Sequence, residues 1–209
     1  MHGTLTQKVS RVVGNLITHP QYISRCISHN VINGQTPLDL EIPWFSYAAI
    51  DFLERFLQPD MTICEYGSGG STLFFAKRAK NVYSIEDNPK WFELVSNRLR
   101  EKSINNVQLK LFPFDFKNPV GFENSEYLNA MPDQRFDVIV IDGSEEWTQV
   151  RPICFEKAEG RVKNGGIIVV DDSWRYGKLR QKNQAASMKV FQSVGPCRPG
   201  VTSTDVFFY

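Results

Sequence analysis

The sequence predicts an α/β protein whose doubly wound, mostly parallel sheet has an antiparallel strand at its C-terminal end. From Met61 onward, short runs of β-branched and aromatic residues alternate with longer segments of helical periodicity. Such alternation is typical of βαβ units, in which helices cover both faces of a parallel sheet. The last two strand-like segments are joined by a short link containing Gly195-Pro196 and Pro199-Gly200, so they are expected to pair antiparallel.

The N-terminal part of the chain predicts helices without strands. Apolar residues at helical spacing indicate an amphipathic helix over residues 5–18, which ends at His19-Pro20 because the residue before proline avoids the α region. Residues 20–40 are expected to be irregular or weakly helical, and a second helix is expected over 44–57. Residues 1–38 contain no Asp or Glu. We therefore predict an N-terminal helical extension (1–43), which packs on the main domain (44–209) or covers its pocket.

The main domain contains the elements of the sheet in order. Strands are predicted at 61–66, 81–86, 107–112, 136–142 and 166–171, with helices at 71–80, 89–102 and 147–162, and a final strand pair at 188–192 and 205–209. The connection between Phe112 and Phe136 is long, with only a short helix near 125–131. Loops of that length are usually functional.

Composition and charge disfavour several classes of protein. The chain has 209 residues, 42% of them hydrophobic and 22% charged, as in ordinary globular proteins. A formal net charge of +1 gives no argument for nucleic acid or a membrane surface. No apolar run approaches the ~20 residues of a membrane span. The four cysteines lack disulfide or zinc spacing, so we expect reduced thiols in a cytoplasmic protein.

A glycine loop, residues 64–72, follows the first strand and opens a helix with the sequence Cys-Glu-Tyr-Gly-Ser-Gly-Gly-Ser-Thr. Glycine permits a sharp turn and a close ligand, and the unpaired N–H groups at a helix start attract polar groups. A dinucleotide fingerprint would place its third glycine at Thr72. Glu65 would repel a pyrophosphate but can hold an ammonium group, directly or through water.

The next strand ends at Glu86-Asp87, where an acid can bind both hydroxyls of a ribose. The loop and this strand end together suit a ligand with an adenosine half and a cationic amino-acid half.

Residues 61–209 resemble class I S-adenosylmethionine (SAM)-dependent methyltransferases, which have a Rossmann-like fold. The matching motifs are residues 65–69, 84–86, 136–143 and 165–172. Ser71 stands where many relatives have a third glycine, and with Thr72 it is similar to a subgroup whose loop reads GSG-x-ST. The resemblance implies SAM as cofactor, with Glu86 on the ribose and residues 114–116 near the adenine. The predicted cofactor-binding residues are Glu65, Gly67, Ser68, Gly69, Ser71, Thr72, Glu86, Asp87, Asp115, Phe116 and Asp142.

Three aspartates follow adjacent strands. Asp142 ends the fourth strand, and Asp171 and Asp172 end the fifth, so their carboxylates are expected to converge. Oxygen ligands suit Mg²⁺ or another divalent cation, and the arrangement is similar to metal-dependent small-molecule O-methyltransferases. The alternative is that Asp142 places the methionine end of the cofactor while Asp171 and Asp172 cap a loop.

Glu145 is the candidate general base, with Asp142 as a second catalytic acid. Many relatives have a histidine where Glu145 stands, and this sequence has none after His29. A base within the domain is therefore a carboxylate, lysine or tyrosine, unless His19 or His29 reaches the pocket from the N-terminal extension. The alternative for Glu145 is a solvated acid at a helix N-terminus.

The predicted function is methyl transfer from SAM to an oxygen or nitrogen of a small molecule. Trp44, Trp147 and Trp174 are candidate walls for the acceptor, whereas Trp91 is expected to pack on its own helix. The alternatives are a SAM-binding module without transfer activity and an NAD-binding oxidoreductase. The near-neutral charge and the absence of an Asn-Pro-Pro-Tyr motif weaken a nucleic-acid substrate. Assembly as a homo-oligomer is left open.

Overall fold

The computed structural model describes residues 4–29 and 34–209. The strands are β1 (Thr62–Tyr66), β2 (Asn81–Glu86), β3 (Val107–Leu111), β4 (Phe136–Ile141), β5 (Val162–Val170), β6 (Ser187–Val194) and β7 (Val201–Phe208). The α-helices are α1 (Leu5–Thr18), α2 (Ile23–Ser28), α3 (Pro37–Leu40), α4 (Tyr47–Phe56), α5 (Gly70–Ala76), α6 (Pro89–Glu101), α7 (Glu126–Asn129) and α8 (Val150–Glu159). Short 3₁₀ turns lie at Pro20–Tyr22, Phe122–Asn124, Ser173–Arg175 and Gly177–Arg180.

The strands form one sheet in the order β3-β2-β1-β4-β5-β7-β6. Strands β1 to β5 pair parallel with their neighbours, while β7 pairs antiparallel with both β5 and β6. This confirms the predicted fold class. The strand order reverses between β1 and β4, and ligands of open α/β sheets bind beyond the carboxyl ends of the strands at such a point.

Strands β4 and β5 are buried on both faces of the sheet. This explains why their sequences are continuously apolar instead of alternating. Val138, Val140, Ile167 and Val169 pack on the side of α4 and α5. The alternate residues Ile139, Ile141, Ile168 and Val170 pack on the side of α8. Side chains of successive strand residues point to opposite faces, so each strand contributes to both layers of the core.

Strand β5 begins earlier than predicted. The strand was predicted over residues 166–171, but Val162 already pairs with Phe136. The register shifts between Phe136 and Val138, and Gly165 adopts φ +79°. The glycines therefore accommodate an irregularity within the strand, as isolated strand glycines often do.

Helix α1 packs on the edge of the sheet formed by β6 and β7. Its N-terminus has a capping box, in which the Thr4 hydroxyl accepts from the Gln7 N–H at 3.3 Å and Gln7 Oε1 accepts from the Thr4 N–H at 3.0 Å. Val12 and Leu16 pack against the core, and the Val194 N–H donates to Asn15 Oδ1 at 3.0 Å. The predicted helix over residues 5–18 is thus present.

Helix α4 joins the N-terminal part to the same strands. It begins at Tyr47 rather than at residue 44, because Ser46 caps it by accepting from the Ala49 N–H at 3.3 Å. The Ser46 hydroxyl also donates to the Phe191 carbonyl at 2.9 Å, and the Ser46 N–H donates to the Thr204 hydroxyl at 3.2 Å. These two hydrogen bonds therefore attach the N-terminus of α4 to strands β6 and β7.

Residues 37–42 lie directly on the N-terminus of α5. A Cβ on Gly70 would come within 2.2 Å of the Ile42 carbonyl oxygen and 2.3 Å of the Pro37 carbonyl oxygen. Gly70 is therefore required by the packing of the N-terminal segment on the glycine loop.

No helix within the described ranges combines the length and the apolar character needed to cross a bilayer. Cys26, Cys64, Cys154 and Cys197 are all unpaired thiols, as the sequence predicted.

We predict that Gly70→Ala destabilises the protein, because the new methyl group would overlap two backbone oxygens. Overpacking of this kind typically costs about 1–3 kcal/mol. Urea unfolding measures the effect. Gly177→Ala is the control, because a Cβ there has no neighbour within 4 Å. Equal stability of the two variants would contradict the prediction.

Candidate functional site

A large cavity of about 1510 Å³ lies at the carboxyl ends of β1, β2, β4 and β5. Its walls include loop residues 67–71, residues 86–89 and 113–116, residues 142–146 and the acids after β5. Residues from the N-terminal part and from the turn between β6 and β7 complete it. Pockets for one small molecule usually measure about 300–1,000 Å³, so this cavity has room for two ligands side by side.

The glycine loop crosses close to the end of β4. Gly67 has φ +90°, and a Cβ on it would lie 2.6 Å from the Asp142 carbonyl oxygen. Its N–H donates to the Ile85 carbonyl at 2.8 Å. At Gly69 a Cβ would meet only the Trp91 ring at 3.6 Å. The backbone fold of the loop thus accounts for Gly67, whereas Gly69 borders the cavity.

Glu65 and Thr72 lie behind the loop instead of on the cavity wall. The buried Glu65 carboxylate accepts from the hydroxyls of Ser71 at 2.8 Å, Thr72 at 2.5 Å and Ser84 at 2.5 Å. Thr72 also accepts from the Gly69 N–H at 3.0 Å. Burial raises the pKa of Glu65 to about 7, although the three hydroxyls oppose the shift. Glu65 and Thr72 were predicted to contact the cofactor, but here they stabilise the conformation of the loop from the side away from the cavity.

Glu86 reaches the cavity, but its carboxylate is already fully hydrogen-bonded. Ser68 donates its N–H at 2.9 Å and its hydroxyl at 2.6 Å to Oε2, while the N–H groups of Asp87 and Asn88 donate to Oε1 at 3.1 and 2.9 Å. A carboxylate offers about four acceptor sites. Glu86 can therefore bind a ribose hydroxyl only by sharing or releasing one of these donors.

Asp87 is the more available acid at this strand end. It lines the cavity, and no other side chain of the described residues donates to its carboxylate in the structure. Burial, together with the neighbouring Glu86 charge, raises the pKa of Asp87 to about 7. A hydroxyl-bearing ligand would compensate this desolvated carboxylate.

The aromatic residues after β3 lie where the resemblance implies. Phe114, Asp115 and Phe116 line the cavity, and the two phenylalanine rings lie 5.1 Å apart. Trp91 lines it as well, and its indole N–H donates to the Ser68 carbonyl at 2.5 Å. Trp91 was expected to pack on its helix alone. No local pattern in the sequence indicates that its ring reaches the loop.

Asp142 and Glu145 face a buried arginine that the sequence did not single out. Arg151, on α8, lies 3.0 Å from Asp142 Oδ1 and 3.4 Å from Glu145 Oε1 through Nη2. Its guanidinium also donates to the Gly143 carbonyl, from Nε at 3.1 Å and Nη2 at 2.9 Å, and from Nη1 to the Asp171 carbonyl at 2.7 Å. One cation therefore fixes the ends of both β4 and β5.

Asp171 and Asp172 have partners from the end of the chain. Thr204 donates its hydroxyl to Asp171 at 2.7 Å. Asp172 Oδ1 accepts from Arg198 Nη1 at 3.0 Å and from the Thr202 hydroxyl at 2.5 Å. Burial alone would raise the pKa of Asp172, but the Arg198 charge and the Thr202 hydroxyl outweigh it and hold this pKa at about 2.

Glu145 lies at the cavity wall between two cations. Its Oε2 is 3.2 Å from Arg175 Nη2, in addition to the Arg151 contact. Burial raises the pKa of Glu145 above its usual value, and the nearby Asp172 charge adds to the shift. Burial likewise raises the pKa of Asp142 to about 7, against the Arg151 charge. Both predicted catalytic acids therefore lie together on the wall with raised proton affinity.

The convergence of the strand-end acids is as predicted, but their donor set does not suit a divalent cation. Such ions need several free oxygen ligands. Here Arg151, Arg198 and two threonine hydroxyls already occupy the carboxylates of Asp142, Asp171 and Asp172. Across residues 4–29 and 34–209, no group of three or more His, Cys, Asp or Glu is arranged to hold a metal ion. The structure gives the predicted cation site no support.

The remaining candidates divide into two groups. Trp44 and Trp174 line the cavity, whereas Trp147 packs edge-on against Phe122 at 5.6 Å. His19 and His29 lie outside the cavity: His29 Nδ1 is 3.2 Å from the Tyr47 hydroxyl, and His19 Nδ1 is 3.2 Å from the Asn15 carbonyl oxygen. Neither histidine is placed to act as the base.

A family model described as a methyltransferase domain matches residues 64–173. No curated protein matches the chain. Similar solved structures include an rRNA methylase from Streptococcus thermophilus, 17% identical, with TM-score 0.56 over 76% of this chain and 92% of that one. An O-methyltransferase from Bacillus cereus in complex with S-adenosylhomocysteine (SAH) is 18% identical, with TM-score 0.56 over 71% and 74%. The O-methyltransferase of tomaymycin synthesis from Streptomyces achromogenes, in complex with SAM, is 16% identical, with TM-score 0.54 over 71% and 74%.

We predict that Glu65 makes stability depend on pH. Its folded-state pKa of about 7 exceeds the ordinary value of 4.5, so its contribution falls as pH rises from 4.5 to about 7. The free energy of unfolding of the wild type should therefore drop by roughly 3 kcal/mol more than that of Glu65→Gln over this range. Urea unfolding at a series of pH values measures both. Parallel pH curves would disprove the assignment.

We predict that calorimetry with Mg²⁺, Mn²⁺ or Ca²⁺ shows no saturable binding when SAM is present, because arginine already compensates the strand-end acids. A one-site isotherm that disappears in Asp172→Asn would show instead that a cation displaces Arg198.

Proposed function

The chain belongs to the methyltransferase-domain family whose model matches residues 64–173, and we propose that it transfers a methyl group from SAM to an oxygen or nitrogen of a small molecule. The observation that carries this proposal is the cavity, which joins the glycine loop to the acids at the ends of β4 and β5. A donor on the loop and an acceptor beside these acids would lie in one enclosure. Holding two reactants in this way is the main contribution an enzyme makes to such a reaction.

The residues around the loop fit the chemistry of SAM. Backbone groups of Gly67, Ser68 and Gly69 border the cavity, and Asp87 offers a carboxylate that a ribose hydroxyl would satisfy. Phe114 and Phe116 offer apolar faces for an adenine. When bound, SAM supplies the methyl group as an electrophile.

Asp142 and Glu145 support the acceptor half of the proposal. Arg151 holds both carboxylates on the wall, and burial raises the pKa of Asp142 to about 7 and the pKa of Glu145 above its usual value, so both acids have a raised affinity for a proton from an acceptor. Arg175 fixes the second oxygen of Glu145. We assign Glu145 as the base because its side chain lines the cavity and two arginines, Arg151 and Arg175, hold its carboxylate there.

A small-molecule acceptor fits the charge of the protein better than RNA, although the similar folds include rRNA methylases. Proteins that bind duplex nucleic acid tightly neutralise several phosphates, typically about 6–10. This chain has a net charge of +1, and three of the arginines that line the cavity, Arg151, Arg175 and Arg198, are paired with acids.

Calorimetry with SAM, SAH and NAD tests the cofactor, and mass spectrometry of SAM incubated with the protein and a metabolite extract tests transfer. We expect SAM and SAH to bind, NAD not to bind, and SAH to accumulate only with the extract. Binding without SAH formation would identify a SAM-binding module. Binding of NAD in place of SAM would refute the proposal.

We predict that Glu145→Gln lowers kcat for the acceptor found in this screen by about 100-fold, because the base is lost, with little change in SAM affinity. Glu93→Gln is the control, since Glu93 is exposed and is not among the residues that line the cavity. Steady-state kinetics and SAM calorimetry distinguish the effects. Equal kcat values for the two variants would remove Glu145 as the base.

A further inference from the structure

At the acceptor end of the cavity, the Lys8 ammonium is a positive charge that no described acid balances. Lys8 and Arg11, on α1, line the cavity wall. Lys8 forms no ion pair with an acid in the part of the chain that the structure describes. Its own segment offers none, because residues 1–38 contain no Asp or Glu. By contrast, Arg175 and Arg198 are paired with Glu145 and Asp172.

Two tryptophans give the same end of the cavity flat apolar walls. Trp44 lines the cavity and is 48% exposed, which is unusual for so large an apolar side chain. The Arg198 guanidinium lies 5.0 Å from its ring centre and donates from Nη2 to the Trp44 carbonyl at 2.7 Å. Trp174 also lines the cavity, with the Arg175 guanidinium 4.7 Å from its ring centre. The stacked arginines hold both rings in place.

These features lead to an inference that rests on the proposed methyl transfer. We propose that the acceptor is a small aromatic compound bearing a carboxylate or phosphate group. Its ring packs against Trp44 and Trp174, and its anionic group binds Lys8 and Arg11. The apolar ring accounts for the exposed tryptophan surface, and the anion accounts for the unbalanced lysine.

The size of the basic patch favours a small anion over a nucleic acid. Lys8 and Arg11 are two cations on an enclosing wall, and they suffice for one carboxylate or phosphate. An extended phosphate backbone would require about 6–10 such contacts along an open surface. Aromatic bases and phosphates would otherwise satisfy the same residues, so RNA is included as a competitor in the test.

The test uses the full chain loaded with SAH and two fluorescent probes. Anilinonaphthalene sulfonate is a fused aromatic anion, and N-phenylnaphthylamine has the same rings without the sulfonate. We expect the anion to bind at least about tenfold more tightly, as charge-assisted hydrogen bonds allow. In the double variant Lys8→Gln, Arg11→Gln this advantage should fall below about threefold. It should persist in Lys182→Gln, which removes an exposed charge far from the cavity.

A further control concerns the exposed apolar face of α1, where Ile17 is 73% exposed. Ile17→Ser should leave the affinity for the sulfonate unchanged if the probe occupies the cavity. Para-hydroxybenzoate and phenyl phosphate compete for the probe to distinguish the two anionic groups, and the methyl ester of the former should compete at least about tenfold less well.

The outcomes separate this inference from the proposed function. Failure of SAH to bind would remove the methyl-transfer proposal itself. If SAH binds, equal affinities for the two probes, or loss of probe binding in Ile17→Ser, would overturn the proposal that the acceptor is an aromatic anion. The proposal of methyl transfer would be unaffected. Stronger displacement by a short single-stranded RNA than by either aromatic anion would overturn it in favour of nucleic acid.

Discussion

The buried guanidinium of Arg151 is the interaction on which the site depends. It satisfies the carbonyls of Gly143 and Asp171 and lies against the carboxylates of Asp142 and Glu145. Burying an arginine or a carboxylate by itself costs several kcal/mol, so each of these groups is tolerable only in the presence of the others. The ends of β4 and β5 are thereby locked together at the place where the cavity changes from its cofactor half to its acceptor half.

Other buried carboxylates around the cavity are also compensated by neighbouring groups, and the kind of partner differs between the cofactor half and the acceptor half. Behind the glycine loop, the buried Glu65 carboxylate is hydrogen-bonded by three hydroxyls instead of an arginine, and burial keeps its proton affinity high. At the strand ends, arginines take the role that a metal ion plays in other sites. The cavity can thus contain several carboxylates without requiring a cation from solution.

The sheet and the convergence of the acids could be predicted from the sequence because both follow from local rules. Buried parallel strands are continuous apolar runs, and their carboxyl ends meet at one edge. The partners of the acids could not be predicted, because no local pattern in the sequence marks Arg151 on α8 or Arg198 in the turn between β6 and β7 as a partner of the acids.

The side of the sheet to which the Glu65 side chain points could not be predicted either. Whether a strand residue faces the ligand or the layer beneath depends on the pleat and on Ser84 of the neighbouring strand. Gly70 was attributed to the ligand loop, but it serves the packing of residues 37–42.

Strand β7 is inserted between β5 and β6, so β6 is hydrogen-bonded to β7 and not directly to a strand of the parallel part of the sheet. Helix α1 packs on these two strands, and the cap of α4 is hydrogen-bonded to both. Cooperative units of a native protein open as a group when their contacts are mutual. The backbone amides of α1, β6 and β7 should therefore exchange their hydrogens with similar opening free energies. The N-terminal and C-terminal parts of the chain would then open as one cooperative unit. Lys8 and the Asp172 partner Arg198 belong to that unit, and a loosened edge would alter the acceptor wall while leaving the glycine loop intact.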